Sequence, residues 1–525
     1  MGHVRTSTVF VSVMVLLHAL LVIGLAPPAE AAVRTYPGPD GCNNTLQQCI
    51  NRVPDNSTIR IDTNQTIEEN IQIDKSLTLK AAAGRSPVLD GRADWGIDVN
   101  DGGRVQSDIV IEGITIRSNM RVHFDEGFGH TFTLRDSRVI HSVKSDTTIG
   151  ILLDYDVHAI ATLRNNVVRS NGRAISFRSK LAVDNAPAFV VAVGNYITSP
   201  NPLESRSGIE ILPQGAEHLR AYVHSNVIHD VAGCACTGNR GGLVVRSANA
   251  KSTFVGVVNN TIDLVRGGAG VVVTNEAPTT FHGHYFNNIV TRVDGPGFDA
   301  GGPTSHSQHS ADDNDTFENA APDNFGGWGS GPGMVQVRPQ FVNRDQNNFR
   351  LKPTSPLLDK GRVCSAAGLF EWDASGNARF TRYSGGSVDM GAYEFSSTDP
   401  LSGRVFNGTD GEDDLTGTPN DDLMCGYADQ DNIAGRGGDD YIDAGTGNDE
   451  VHGGGNSDVI YGGPFEDTLT GGEGADYLYG GPADDLLRAD DGVGSNDYAS
   501  GGDAFDTCFI DEGDSMVECE IGGVP

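Results

Sequence analysis

The sequence predicts an all-β protein made of two solenoids in series, a parallel β-helix followed by a narrower parallel β-roll. Three observations carry this prediction. Glycine supplies 68 of 525 residues, nearly twice the ordinary ~7%, and follows no G-X-Y period, so it marks many tight turns. Short β-rich segments recur through residues 57–293, separated by steps of about one β-helix turn. The last quarter of the chain repeats every nine residues. No convincing capped helix of about a dozen residues appears between the recurring segments.

Composition narrows the function classes. With 38% hydrophobic residues the chain can build a core in more than one domain. Its 70 acidic and 37 basic residues give a net charge of −33, which argues against a nucleic-acid binder. Only 20% of residues are charged, too few for a polyampholytic disordered chain. The charge is uneven: residues 401–525 hold 30 acidic side chains against Arg404, Arg436 and Arg488, while the rest holds 40 against 34.

Residues 1–31 read as a secretory signal peptide. Arg5 precedes an apolar stretch from Val9 to Leu25, Pro27 and Pro28 break it, and Ala29-Glu30-Ala31 offers a small-residue cleavage site. The competing reading is a membrane anchor, for which the stretch is at the short limit. No other segment approaches a spanning length, so the mature protein is expected to be secreted and extracellular, without a membrane span. Eight cysteines suit an oxidising compartment. Cys42 with Cys49, and Cys508 with Cys519, are close enough in sequence to staple the two ends. Cys234 and Cys236 form C-x-C, either a strained disulfide or half of a metal site, and no second pair stands at zinc spacing. Cys364 and Cys425 show no evident partner.

The β-helix is assigned to residues 32–338, with 42–56 as an N-terminal capping helix. Ser57-Thr-Ile-Arg-Ile, Ile71-Gln-Ile and Ser76-Leu-Thr-Leu alternate apolar and polar positions. A degenerate unit then recurs, an Asn followed by two mostly β-branched or aromatic residues: Asn166-Val-Val, Asn195-Tyr-Ile, Asn226-Val-Ile, Asn260-Thr-Ile and Asn288-Ile-Val. An Asn at one place in every turn can stack its amide on the next and satisfy buried polar groups in a ladder. A β-sandwich would show turns every ~8–12 residues instead. On these residues the region resembles right-handed parallel β-helix proteins of the pectin-lyase-like type.

Residues 339–398 form a separate segment. Ser355-Pro-Leu-Leu-Asp-Lys-Gly and Val388-Asp-Met-Gly-Ala-Tyr-Glu resemble the choice-of-anchor Q segment that closes many secreted β-helices. That resemblance implies a variable anchoring element next in the chain, and no catalytic residues.

Residues 399–525 carry the nine-residue repeat and a C-terminal cap. Asp stands at 413, 422, 431, 440, 449, 458, 467, 476 and 485. After an interruption at Gly492-Val493-Gly494 come Asp497 and Asp506. Two residues after each of the first nine is an apolar residue, and five residues before is Gly, with Ala444 the exception. The Gly-rich half of each unit makes a turn; the other half is a short strand with one inward apolar side chain. Stacked turns would bring Asp carboxylates and backbone carbonyls together as hard oxygen ligands, the donor set of Ca2+. An acidic solubilising tail needs no such period. The array resembles the RTX, or haemolysin-type, calcium-binding repeats, which implies that Asp413, Asp422, Asp431, Asp440, Asp449, Asp458, Asp467, Asp476, Asp485, Asp497 and Asp506 are metal ligands. Phe465 and Ala483 fit the turn poorly, so weaker binding is expected there. Self-repulsion should open the array without calcium, and metal binding should fold it.

No catalytic site announces itself. Secreted alginate C5-epimerases join a pectin-lyase-like helix to RTX modules, but the D-P-H motif of that group is missing here. Local candidates are His123, Asp125, Glu126 and His130; His282 and His284; and His306, His309 and Asp312. For each, an ordinary solvated or strand position is the simpler reading. Arg164, Arg169, Arg173, Arg178 and Lys180 suggest a basic strip for an anionic polysaccharide, against a plain exposed face. The expectation is therefore a secreted calcium-binding β-solenoid whose helix binds polysaccharide or a cell-surface partner. The alternative is a calcium-dependent polysaccharide lyase or uronate epimerase.

Overall fold

The structure is a computed structural model. It describes residues 31–523 apart from isolated positions and 92–94, 142–146, 154–156, 180–186, 200–206, 214–217, 233–240, 249–251, 277–279, 301–306, 324–332, 365–372, 376–386 and 395–404. The signal-peptide expectation, Cys234, Cys236, Asp125, Glu126, His306 and Lys180 lie outside the described residues.

Alternation of apolar and polar residues dictates the first solenoid. Each turn gives one strand to each of three parallel sheets, which contain eleven, nine and ten strands among the described residues. One turn runs through Gly127–Arg135, Arg138–His141 and Thr147–Leu153. Inward residues such as Ile59, Ile61, Leu79, Ile111, Leu134 and Leu163 stack in a continuous buried core. The fold class is the expected one.

The sharp corner between the eleven- and ten-stranded sheets explains the recurring Asn. A left-handed residue turns the chain there: Asp136, Asn165, Ser225, Asn259, Asn287 and Asp313 have φ between 49° and 57°, a region that Asn and Asp tolerate best. The next residue is the ladder Asn, except after Asp136, where it is Ser137; before Asn195 the left-handed residue is Gly194 (φ 65°). Asn166, Asn195, Asn226, Asn260, Asn288 and Asn314 are buried, and each Nδ2 donates to the Oδ1 of the next at 2.8–3.0 Å. Each Oδ1 also accepts the preceding ladder residue's backbone N–H. The sequence series ends at Asn288; the structure extends it to Asn314.

The N-terminal end is covered by a helix shorter than expected, Leu46–Arg52, which buries Leu46, Cys49 and Ile50. Thr45 caps it, Glu69 accepts its first free N–H groups, and the Cys42–Cys49 disulfide fastens it. At the other end the segment after Pro339 lies along the flank of the last turns. Phe341, Phe349, Leu351, Leu357 and Met390 pack on Val227 and Ile289 of the ten-stranded sheet.

The nine-residue repeat builds the roll as anticipated. Successive strands alternate between two seven-stranded parallel sheets. Met424, Ile433, Ile442, Val451, Ile460, Leu469, Leu478 and Leu487 form its one-residue-thick core, and Leu415 at the start is partly buried. The interruption at 492–494 lengthens one turn, so the Asp476–Asp497 and Asp485–Asp506 steps are 21 residues instead of 18. The first roll strands contact the helix: Leu423 and Cys425 cluster with Val258 and Phe286. Cys364 and Cys425, unmatched in the sequence reading, are disulfide-bonded to each other across this contact, and Cys508–Cys519 closes the far end as expected.

Candidate metal centre

The repeat places its aspartates in two columns, one along each edge of the roll. Each Asp Oδ1 accepts the backbone N–H of the Asp one turn earlier. Asp431, Asp449, Asp467, Asp485 and Asp506 do so in one column, and Asp440, Asp458, Asp476 and Asp497 in the other, at 2.7–2.9 Å.

The second oxygen separates the units into two kinds. The Oδ2 atoms of Asp431, Asp440, Asp449, Asp458, Asp467, Asp476, Asp485 and Asp497 are buried with no hydrogen-bond partner. A buried carboxylate oxygen left in this state is costly unless a cation completes it. At Asp413 and Asp422, by contrast, Oδ2 is already taken. Thr409 donates its N–H and hydroxyl to Asp413 at 2.6 and 2.9 Å, and Thr418 does the same to Asp422 at 2.5 and 2.9 Å. From Asp431 to Asp485 the residue at that place, four before the Asp, is instead left-handed, from Tyr427 (φ 87°) to Gly481 (φ 126°). The sequence reading set apart only the turns of Phe465 and Ala483, not those of Asp413 and Asp422; the two threonines were the overlooked signal.

Asp506 is buried and continues its column. Asp514, off the nine-residue frame, ends the other: its Oδ1 accepts the N–H groups of Asn496 and Asp497, and its Oδ2 that of Asp511. Phe465 and Ala483 adopt the left-handed turn geometry (φ 85° and 115°), and their aspartates, Asp467 and Asp485, have the same unpartnered Oδ2 as their neighbours.

The electrostatics agree. Burial pushes the carboxyls of Asp440, Asp458 and Asp467 up to about 8, and neighbouring carboxylates add to the rise while the accepted N–H opposes it. Asp485 and Asp497 are raised to about 7, and Asp431 and Asp476 to about 6, chiefly by burial. Among the described residues no three Asp, Glu, His or Cys side chains converge as a cage, so backbone oxygens must complete any site. They are at hand: a Cβ on Gly453 would collide with both the Asp458 carboxylate and the Gly471 carbonyl. One carboxylate per turn with carbonyls from the stacked turn is a hard, all-oxygen donor set that fits calcium.

The predicted residues on the helix do not assemble into a site. His130 is buried, stacked on Phe124, and its Nδ1 meets the Ser107 hydroxyl at 2.8 Å. His123 is half-buried on a different strand. His282 and His284 share the outer face of the eleven-stranded sheet, where His284 packs on Phe254 and Phe286. His309 and Asp312 lie in that sheet's last strand. The proposed basic strip is not one strip: Arg164, Arg169 and the pair Arg173 and Arg178 fall on three different sheets, and Arg173 pairs with Glu210 at 2.8 Å.

Residues 407–442, 426–460, 434–469 and 461–494 match the RTX calcium-binding nonapeptide repeat. Comparison with curated proteins gives no match. Among solved structures the chain is similar to pectate lyase Pel9A at 14% identity and TM-score 0.39, over 69% of this chain and 96% of that one. It is also similar to the PL6 family alginate lyase AlyGC at 10% identity and TM-score 0.24, over 93% and 89%. At such identities the likeness concerns the fold alone. The disulfides and repeats fit an extracellular protein, and among the described residues no helix is long and apolar enough to cross a membrane. The chain is a calcium-binding β-solenoid, a parallel β-helix that carries RTX nonapeptide repeats at its C-terminal end.

Proposed function

We propose that this is a secreted protein whose roll folds on extracellular calcium and whose β-helix binds polysaccharide or a cell-surface partner. The unpartnered, buried Oδ2 atoms of eight aspartates support the reading most directly, because the roll's own atoms leave them unsatisfied. Asp431, Asp440, Asp449, Asp458, Asp467, Asp476, Asp485 and Asp497 hold the ions, each with carbonyls of the adjacent turn. Bound calcium supplies the charge that offsets carboxylate repulsion and ties stacked turns together. Asp413 and Asp422 keep their threonine partners and start the array, and Asp506 adds a further carboxylate near the far end.

Extracellular modules of this chemistry respond to calcium at ~10⁻⁴–10⁻³ M. Calcium titration of the chain from residue 32 onward, followed by circular dichroism, tests the reading. A cooperative gain of β signal is expected in that range, and an unchanged spectrum would refute it. Retention on immobilised acidic polysaccharide, with no unsaturated uronate released, is the expected behaviour of the helix. Release of unsaturated product would make it a lyase instead.

A further inference from the structure

The flank of the helix carries a cleft that the roll does not use. It lies between the strand Ile289–Thr291 and the antiparallel pair Phe341–Asn343 and Asn348–Leu351, and has a volume of about 570 Å³. Four cations line it, Arg292, Arg338, Arg344 and Lys352, against one acidic side chain, Asp345. In a chain of net charge −33 this is a local reversal of sign.

Two of the cations are held in place from behind. Asp263, fully buried, accepts from Arg292 Nε and Nη2 at 2.9 and 2.5 Å and lies 3.7 Å from Arg344 Nε. His229 Nδ1 stands 2.9 Å from the same carboxylate. Arg344 also reaches Glu318 at 3.4 Å and lies over the Phe341 ring at 5.0 Å. The other two, Arg338 and Lys352, are exposed, and no carboxylate among the described residues pairs with them. The buried Asp263 carboxylate thus fixes the two inner guanidinium groups, with Glu318 as a second partner of Arg344, and two uncommitted cations stand at the mouth.

We propose that this cleft binds an acidic oligosaccharide, with Arg338 and Lys352 taking its carboxylates. The inference rests on the polysaccharide reading above and gives that reading a site. Volume and lining select the ligand class. A cleft of this size is within the ordinary range for small-ligand sites and far exceeds one inorganic anion. The lining offers no aliphatic wall for an apolar ligand. Gln340 and Asp345 present an amide and an acceptor to sugar hydroxyls, and Asp345 disfavours a uniformly charged polyanion. A guanidinium meets a carboxylate with two parallel hydrogen bonds.

The test is calorimetric titration of the calcium-loaded chain from residue 32 onward with tetragalacturonate, a heparin-derived tetrasaccharide, cellotetraose and an oligothymidylate. The double variant Arg338→Ala/Lys352→Ala is compared with Arg60→Ala/Lys80→Ala, which removes two cations from the eleven-stranded sheet instead. Tetragalacturonate should bind and cellotetraose should not. The Arg338/Lys352 variant should lose at least about tenfold in affinity, because two charge-assisted contacts go, and the Arg60/Lys80 variant less than twofold. Equal losses in both variants would reduce the effect to general charge attraction and overturn the site. Unchanged binding in the Arg338/Lys352 variant would move the ligand elsewhere while leaving the polysaccharide reading intact. Failure of every sugar to bind would overturn both. Tighter binding of the sulfated sugar or of the oligothymidylate would overturn the carboxylate-sugar assignment.

Discussion

Substituting Asp458 by Asn separates the two functions of one side chain. Asp458 is fully buried; its Oδ1 accepts the Asp440 N–H at 2.8 Å, and its Oδ2 has no partner. Asparagine keeps the acceptor and loses the charge. In calcium the variant should be less stable. A site at a free concentration of 100 times its Kd contributes about 2.7 kcal/mol, so losing it should cost the roll about that much. Without calcium the sign reverses, since the variant removes a carboxyl whose charged form is opposed by burial first and then by the carboxylates of Asp440 and Asp476. The folded fractions of variant and parent, read by near-ultraviolet circular dichroism of the stacked Tyr461 and Tyr479 rings, should therefore exchange order on adding calcium. Asp413→Asn is the control: its Oδ2 is held by Thr409, so the calcium midpoint should barely move. Equal destabilisation of Asp458→Asn with and without calcium, or an equal midpoint shift in both variants, would refute the reasoning.

Three further outcomes are expected. Asn226→Leu leaves the Asn195 N–H and one Asn195 amide hydrogen without their acceptor, which at ~1–3 kcal/mol per buried orphan predicts a loss of about 2–6 kcal/mol in urea unfolding of the helix. The calcium-free roll should gain stability on acidification. Its buried aspartates have folded pKa values raised to about 8 at Asp440, Asp458 and Asp467, so the folded state binds more protons than the unfolded one and stability falls as pH rises from the ordinary carboxylate range towards 8; calcium-loaded roll should show the opposite trend, measured by thermal melts at pH 4.5 and 8. Phe465→Gly should stabilise the roll by about 1 kcal/mol, because a mostly exposed phenylalanine is held at φ 85°; a lower melting temperature would contradict this.

Periodic features were legible in the sequence, and contacts between distant segments were not. The Asp period specified the roll and its inward aliphatic row, since one residue per strand must be buried. The Asn series specified the helix corner, since an amide at one place per turn can satisfy itself only by stacking. Thr409 and Thr418 were visible, but their effect depends on a local hydrogen bond that a period does not encode. The Cys364–Cys425 bond joins residues 61 apart, and the cleft draws Arg292, Arg338, Arg344 and Lys352 from separate segments. Conversely, Arg164, Arg169, Arg173 and Arg178 are near in sequence and diverge because a β-helix sends successive strands to different faces.

The attachment of the strand Leu423–Ala428 to the helix gives assembly of the roll a direction. A parallel array grows only by adding a strand to an existing edge, and the first edge is the expensive one. Here the already folded helix holds the strand Leu423–Ala428 in place by side-chain packing, with Cys425 clamped to Cys364 of the segment that follows the helix. Ion-driven closure then proceeds like a zipper from the anchored end towards Cys519, without a wait for a chance nucleus. The same repeats severed from the helix would have to find their own starting point, and their refolding after a jump in calcium should begin with a lag that the intact chain does not show.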